Sequence, residues 1–149
     1  MQLSLHTDYA LRILMALAAS EEQLSVEWIA RHYGISRNHL AKVAQGLQNE
    51  GLILTYRGRG GGMRLALPAG EINVGDVVRR FESFDSFVSC MAGGPGCAIN
   101  GVCGLKPALA GALRAFLDHL DGYCLADIIG ERWPMMHRLA PEAVLAPTQ

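Results

Sequence analysis

The fold is decided by residues 25–47, whose sequence is SVEWIARHYGISRNHLAKVAQGL. Ser25 and Ser36 each precede a run of apolar residues at helical spacing, and Gly34 lies between the two runs, where a glycine commonly ends a helix. Two short helices joined by a tight glycine-containing turn are typical of a helix-turn-helix, whose second helix enters the DNA major groove. We therefore predict a DNA-contacting helix that begins after Ser36.

A β-hairpin is predicted directly after this second helix. Residues 52–56 and 63–67 are short apolar runs on either side of the sequence RGRGGG at 57–62. Such a pattern indicates two strands joined by a flexible basic tip, the wing of a winged helix. A phosphate-binding loop is the weaker interpretation, because no Lys-Ser or Lys-Thr pair follows the glycines.

Further helices are predicted on both sides of this unit. Thr7 is expected to cap a first helix, and residues 74–84 are expected to form a fourth. An apolar stripe from Leu105 to Ile128 predicts a helix of about 24 residues, roughly 36 Å long, that meets its counterpart in a second subunit. The fold class is therefore mainly α with a small β-wing. The predicted parts are a winged helix-turn-helix DNA-binding domain at 1–84, a cysteine loop at 85–104, a dimerisation helix at 105–130 and a C-terminal tail at 131–149.

Charge is small overall but unevenly distributed. The 149 residues carry a formal net charge of −1, whereas residues 31–64 hold six basic residues and one acidic residue. A basic face on a near-neutral protein suits specific binding to duplex DNA. A solvated helix face is the alternative for the helical members of this set. The predicted DNA-binding residues are Ser36, Arg37, Asn38, His39 and Lys42 on the helix, and Arg57, Arg59 and Arg64 on the hairpin.

The N-terminal residues give no sign of export or membrane insertion. They lack the basic region and cleavage site of a signal peptide, and the longest apolar stretch, at 10–19, is interrupted by Arg12. We therefore expect a cytoplasmic protein. In a reducing compartment, the four cysteines are expected to be thiols or metal ligands rather than a disulfide framework.

Three of the cysteines, Cys90, Cys97 and Cys103, form a C-x6-C-x5-C pattern. Thiolates are soft ligands suited to iron–sulfur clusters, zinc or copper(I). Structural zinc sites usually contain a tight C-x2-C to C-x4-C pair, which this pattern lacks. Incidental loop thiols are the remaining alternative. Cys124 lies on the apolar stripe of the predicted long helix, where we expect it to pack as a small hydrophobic residue.

No catalytic constellation emerges from the sequence. A nucleophile with its base, a pair of facing carboxylates and a metal-with-water motif are all missing, so we predict that the protein is not an enzyme. A cluster-binding redox protein without a gene-regulatory role is an alternative. DNA binding that changes with the state of the cluster would separate a regulator from such a protein.

The sequence also resembles a known family of bacterial winged-helix regulators that carry iron–sulfur clusters. The resemblance extends from about residue 1 to 129, and it is closest to the NsrR-like nitric-oxide-sensing repressors, in a family that also contains IscR and RirA. It is carried by the motifs TDYALR at 7–12, ISRNHL at 35–40, RGRGGGMRL at 57–65 and INVGDVV at 72–78, by the three-cysteine loop, and by LADII at 125–129.

This resemblance implies a repressor with a 4Fe-4S cluster, with 2Fe-2S as the alternative, that nitric oxide attacks. It also implies a homodimer bound to double-stranded operator DNA. In NsrR-like proteins an aspartate of the partner subunit completes the cluster ligands, and Asp8 matches it. Lys106 stands where the IscR pattern has a histidine ligand, so an IscR-type fourth ligand is absent. Arg12 either holds the Asp8 carboxylate in place for the cluster or merely pairs with it on the surface. A RirA-like iron-responsive regulator is the alternative function.

Overall fold

The computed structural model describes residues 3–84 and 97–141, with only the backbone at Trp133. Its elements confirm a mainly α fold with a small two-stranded wing. A short 3-10 turn at Ala69–Glu71 follows the wing. In chain order the elements are α1 (Leu5–Ala19), α2 (Val26–Tyr33), α3 (Arg37–Asn49), β1 (Ile53–Tyr56), β2 (Gly62–Leu65), α4 (Val74–Phe81), α5 (Leu105–Asp121), α6 (Leu125–Ile129) and α7 (Arg132–Leu139).

Helix α1 forms the centre of the core. It packs against α3, α4, α6 and α7 and also contacts β2. Its side chains Ala10, Ile13 and Leu14 are fully buried, as is Leu40 of α3. Burial of a leucine or isoleucine side chain contributes roughly 1.5–3 kcal/mol, so this face fixes the position of α1 within the domain.

The cap of α1 differs from the sequence prediction. Ser4, not Thr7, is the N-cap residue, and its Oγ accepts a hydrogen bond from the Thr7 backbone N–H at 3.2 Å. Thr7 lies inside the first turn and its side chain is completely buried. Both residues can cap a helix, so the sequence alone favoured the wrong one.

The helix-turn-helix is confirmed at α2 and α3. Ser25 caps α2 by accepting a hydrogen bond from the Trp28 N–H at 3.0 Å. Gly34 ends α2 in the left-handed conformation, with φ of 64°, which a glycine adopts without a steric penalty. Ser36 occupies the N-cap position of α3, but its side chain makes no capping hydrogen bond.

The wing is an antiparallel pair in which Ile53 lies opposite Leu65. Strand β2 begins at Gly62, slightly earlier than the predicted strand. Leu24, in the α1–α2 loop, extends the pairing through two backbone hydrogen bonds with Met63, of 3.1 and 2.8 Å. A Cβ atom on Gly62 would lie 2.9 Å from the Leu24 carbonyl oxygen, so this close approach requires glycine. The wing is thereby attached to the loop before α2.

The predicted long helix is wrong in its extent. Helix α5 ends at Asp121, and α6 begins only at Leu125. Between them the chain pairs with the segment before α4, because the Val74 N–H donates to the Tyr123 carbonyl at 3.0 Å and the Leu125 N–H donates to the Ile72 carbonyl at 2.8 Å. These long-range hydrogen bonds replace the helical ones that a continuous helix would need.

Cys124 is consequently not part of the stripe on α5. It is the N-cap residue of α6, and it is half-buried rather than part of the core. Its backbone N–H and its thiol donate to Asp127 Oδ2 at 2.8 and 2.9 Å. These hydrogen bonds hold the pKa of Asp127 below its usual value. Cys124 therefore has a local structural role as a cap.

Helix α4 connects α5 to the domain. Asn73 caps α4 as predicted, and the helix ends at Phe81 rather than at Phe84. Arg79 of α4 forms a bidentate ion pair with Asp121 at the end of α5, with Nη2 donating to Oδ2 at 2.7 Å. This pair lowers the pKa of Asp121 and raises that of Arg79. No side chain of α5 is fully buried in the single chain.

The described C-terminal part forms the short helix α7, which confirms the predicted helix after Glu131. The predicted loose chain beyond it falls on residues 142–149, which lie outside the described residues. No helix in the described part of the chain has the length and apolar character needed to cross a membrane.

Gly75 tests the packing of α4 against α5. A Cβ atom there would collide with the Asp121 carboxylate, so Gly75→Ala should displace this carboxylate from Arg79 and destabilise the fold. In an Asp121→Ala background the carboxylate is absent and Arg79 Nη1, 3.0 Å from the Cβ position, is no longer held there by Asp121, so the same substitution should stabilise the fold by up to about 0.5–1 kcal/mol through helix propensity. Urea unfolding of the four variants measures both effects. An effect of the same sign in both backgrounds would contradict this account.

Candidate nucleic-acid interface and cysteine loop

The predicted helix residues lie together at the start of α3. Leu40, Val43, Ala44 and Leu47 form the buried face of this helix. The predicted contact residues are all exposed, so they are available to an external partner. They are Ser36, Arg37, Asn38, His39 and Lys42.

The wing arginines divide between two sides of the hairpin. Arg57 lines a cleft of about 420 Å³ between α3 and the wing, together with Arg37, Gln45 and Thr55. Arg64 instead lines a second cleft beside Trp28. The structure therefore brings Arg57 next to α3 and places Arg64 in a different cleft.

The tip of the wing carries Arg59. Its neighbours Gly58 and Gly60 both have positive φ, of 104° and 75°, so the tip relies on glycine backbone geometry. The Gln23 side-chain amide donates to the Gly60 carbonyl, which attaches the tip to the loop before α2. Arg59 is exposed at the end of this anchored hairpin, where a phosphate backbone can reach it.

An acidic residue lies in the cleft between α3 and the wing. Glu27, in the first turn of α2, forms an ion pair with Arg37, and the distance from its Oε2 to Arg37 Nε is 2.8 Å. The side chain of Glu27 also lines the cleft between α3 and the wing. The two partners are ten positions apart along the chain, and sequence reasoning did not identify Glu27, because no simple periodicity connects the first turns of two successive helices.

Asp8 and Arg12 form a pair on one face of α1. Arg12 Nε donates to both Asp8 carboxylate oxygens, at 3.0 and 2.9 Å. The Arg12 guanidinium also lies over the Tyr33 ring, 5.6 Å from its centroid. Burial is the main cause of the raised pKa of Tyr33, which Arg12 partly opposes. Because Tyr33 is the last residue of α2, these contacts connect Asp8 to the turn of the helix-turn-helix.

Two of the three predicted cysteine ligands can be described. Cys97 is exposed and Cys103 is half-buried, and both are free thiols. A tight turn joins them, in which the Asn100 N–H donates to the Cys97 carbonyl at 2.9 Å. Cys90 lies outside the described residues.

The described residues of this single chain contain no group of three or more potential metal ligands. The predicted ligand set needs Cys90 and an Asp8 from a second subunit in addition to these two thiols. Free thiols on a tight turn are the donors that iron–sulfur clusters use, so the chemistry of the described residues fits such a group.

Glu82 is a second residue that sequence reasoning missed. It follows α4 directly, and its Oε2 accepts hydrogen bonds from the Ser4 backbone N–H at 2.7 Å and from the Thr7 hydroxyl at 2.8 Å. The point where the chain leaves α4 toward the cysteine loop is thereby fixed to the N-terminus of α1, next to Asp8. Burial raises the pKa of Glu82, but these hydrogen bonds outweigh it, and the pKa is below its usual value of 4.5.

Comparison with known proteins gives consistent matches along the chain. A family model described as "Rrf2: Iron-dependent Transcriptional regulator" matches residues 3–131. The structure of CymR, described as the global cysteine regulator of B. subtilis, is 25% identical with a TM-score of 0.68, and the match covers 87% of this chain and 96% of that one.

Two further structures are similar. Staphylococcus aureus CymR is 29% identical with a TM-score of 0.67, and the match covers 85% of this chain and 97% of that one. T. potens IscR is 21% identical with a TM-score of 0.68, and the match covers 100% of this chain and 94% of that one. Because its sequence identity is low, the match to T. potens IscR supports the fold alone.

Stability toward acid tests the Glu82 contacts. Because the pKa of Glu82 is lowered in the folded state, its contribution is fully present above the ordinary value and is lost as the pH falls through the lower, folded value. Glu82→Ala should cost about 1 kcal/mol at neutral pH, since the group is partly exposed. It should cost progressively less as the pH falls below the ordinary value.

Urea unfolding at several pH values measures this difference. Glu71→Ala is the matched control, because Glu71 is exposed in the turn after the wing and should show little effect. An equal loss of stability for Glu82→Ala at neutral and acidic pH would show that the charged carboxylate is not what stabilises this contact.

Proposed function

Because the chain belongs to the Rrf2 family of transcriptional regulators, we propose that it is a dimeric repressor whose operator binding is controlled by an iron–sulfur cluster that senses nitric oxide. At the level of the family it is a DNA-binding transcriptional regulator and not an enzyme. The observation that carries the finer proposal is the position of Asp8. This carboxylate follows Thr7, which is bound by Glu82 at the end of α4, and it accepts hydrogen bonds from Arg12, which contacts Tyr33 at the turn of the helix-turn-helix.

The proposed DNA interface consists of the start of α3 and the wing. Arg37, Asn38, His39 and Lys42 would face the major groove, as the second helix of a helix-turn-helix does. The exposed arginines of the wing would contact phosphates or the minor groove. Because Arg57 and Arg64 lie on two sides of the hairpin, they could contact phosphates at different points along the curved DNA backbone.

Helix α5 is the proposed dimer interface. In the single chain its apolar side chains are left without full burial, and Leu105 remains 63% exposed. Such a stripe is stable in water when a second copy covers it. The Arg79–Asp121 pair then holds the dimer interface at a defined position relative to α4.

The proposed ligands are Cys90, Cys97 and Cys103 of one subunit and Asp8 of the other. When bound, the cluster supplies iron sites that nitric oxide attacks. The residues of this chain supply the connection to DNA. Arg12 donates to both oxygens of Asp8, so it orients the carboxylate. A shift of the carboxylate would change these two hydrogen bonds and so move the Arg12 side chain. Arg12 also contacts Tyr33, and a shift of Asp8 therefore reaches the end of α2.

Iron sensing is the second candidate, because the matching family is described as iron-dependent. Loss of a cluster at low iron would change the same loop and the same carboxylate as its reaction with nitric oxide. The two signals separate when protein prepared without oxygen is exposed either to nitric oxide or to an iron chelator. The treatment that lowers the affinity for operator DNA identifies the signal that the protein senses.

Two substitutions test the proposed ligands. Cys97→Ala should abolish the visible absorption of the anaerobically prepared protein, because it removes a thiolate ligand. Asp8→Ala should retain most of that absorption but weaken operator binding about tenfold, since it breaks the connection to Arg12 and Tyr33. Absorption spectra and DNA titrations, followed through nitric oxide addition, measure both effects.

Cys124→Ser is the matched control for the cysteine, because Cys124 caps α6 and should not affect the cluster. Asp8→Ala protein with wild-type DNA affinity and nitric oxide response would remove Asp8 from the mechanism. Wild-type protein without visible absorption after anaerobic preparation would contradict the cluster itself.

Arg59 tests the wing. Arg59→Ala should weaken binding to all duplexes alike and reduce the slope of log affinity against log salt by about one, as expected for one lost phosphate contact. Arg138→Ala is the control, because this exposed arginine lies on α7, outside the proposed interface. An unchanged slope for Arg59→Ala would exclude a phosphate contact at the wing tip.

A further inference from the structure

The ion pair between Glu27 and Arg37 is not explained by stability. The two side chains are 66% and 62% exposed, and ion pairs this exposed contribute little to folding. The pair nevertheless joins the first turn of α2 to the first residue of α3. It fixes one side chain of the recognition helix at the place where that helix would meet DNA.

The location of Glu27 is unfavourable for simple DNA binding. A carboxylate in the cleft between α3 and the wing would be repelled by the phosphate backbone. The N-terminus of α2 does favour an acidic residue at this position. That preference explains a negative charge in the first turn, but it does not explain why the carboxylate pairs with the recognition helix.

The geometry of the pair suits a specific use of Arg37. Glu27 approaches the guanidinium at Nε, with its Oε2 2.8 Å from that nitrogen. A carboxylate at the Nε side leaves the edge formed by the two terminal nitrogens available. This edge donates two parallel hydrogen bonds to O6 and N7 of guanine, the commonest specific contact in the major groove.

Orientation before binding has a physical advantage. A free arginine side chain samples many rotamers, and holding it in one of them on DNA costs conformational entropy. A partner that orients the guanidinium in the free protein reduces this cost. When DNA docking excludes water, the attraction between the two charges also becomes stronger.

We propose that Glu27 is a positioning residue that orients Arg37 to recognise a guanine in the major groove. This inference rests on the proposed function of α3 as the DNA recognition helix, and it adds the residue that determines specificity at one base pair. The partner is duplex DNA with a guanine opposite the first turn of α3. Glu27 itself acts through Arg37 and makes no base contact.

The test begins with a random pool of duplexes, from which full-length wild-type protein, prepared anaerobically, selects its preferred sequences. Replacing each selected guanine with 7-deazaguanine, which lacks the N7 acceptor, locates the position that Arg37 contacts. The wild type should bind the unmodified duplex about tenfold more tightly than the duplex modified at that position. Arg37→Ala should lose this discrimination.

Glu27→Gln should reduce the same discrimination to about threefold or less, and discrimination at the other positions should not change. Glutamine keeps the size of the side chain and one of its oxygens but removes its charge. Glu22→Gln is the matched control, because Glu22 is an exposed acidic residue beside the wing that lines the cleft with Arg64. It should raise affinity slightly for all duplexes and leave discrimination intact. Thermal unfolding of each variant confirms that the fold is retained.

Each remaining outcome contradicts the proposal at a different step. A uniform rise in affinity for Glu27→Gln, as for Glu22→Gln, would make Glu27 an ordinary surface charge. A uniform loss for Arg37→Ala, with a salt slope reduced by about one, would make Arg37 a phosphate contact. Wild-type protein that enriches no sequence would contradict the proposed DNA-binding function together with this inference.

Discussion

Burial of helix α1 is the constraint on which the rest of the structure depends. This helix packs against α3, α4, α6 and α7, so four other helices take their positions from it. Ile13 and Leu14 are fully buried, whereas Asp8 and Arg12 remain partly exposed on the same helix. Because close-packed interiors deform little, a displacement of the first turn of α1 is transmitted to the helices around it. A ligand that binds Asp8 would therefore act on the packed body of the domain rather than on an isolated side chain.

Helix α4 contacts both the proposed dimer helix α5 and the helix α1 that carries Asp8. Arg79 binds Asp121 at the end of α5, and Glu82, just beyond α4, binds the N-terminus of α1. These polar contacts lie within one turn of each other at the end of an eight-residue helix. The proposed dimer interface and the candidate ligand Asp8 are thus connected through a short rigid element. Glu82 lies just before the cysteine loop, so its contacts fix the chain at that point relative to the start of α1.

Local signals in the sequence predicted the fold well, and long-range contacts account for what the sequence did not predict. Ser25 and Gly34 mark the ends of α2 because their effects act within a single turn of helix. The break after Asp121 was missed because backbone pairing with the segment before α4 causes it, and helical periodicity continues through the break. Glu82 could not be identified for a similar reason, since its partners lie more than seventy residues earlier in the chain. The predicted contact residues of α3 are exposed together, whereas the three-cysteine site includes Cys90, outside the described residues.

Two arginine–carboxylate pairs contact the helix-turn-helix, and they differ in how they form. Asp8 and Arg12 are one turn apart on the same helix, so their pair forms without tertiary structure and is inexpensive to open. A small shift of its carboxylate therefore costs little free energy and changes the contact with Arg12. Glu27 and Arg37 belong to different helices, and their pair exists only when the turn at Gly34 is folded. In the proposed regulator, the Asp8–Arg12 pair suits a switch and the Glu27–Arg37 pair suits a fixed geometry at the DNA.

Tyr33 connects the two pairs, because it contacts Arg12 and is the last residue of α2, the helix that carries Glu27. A change at Asp8 would therefore reach the proposed DNA-binding face through this single helix.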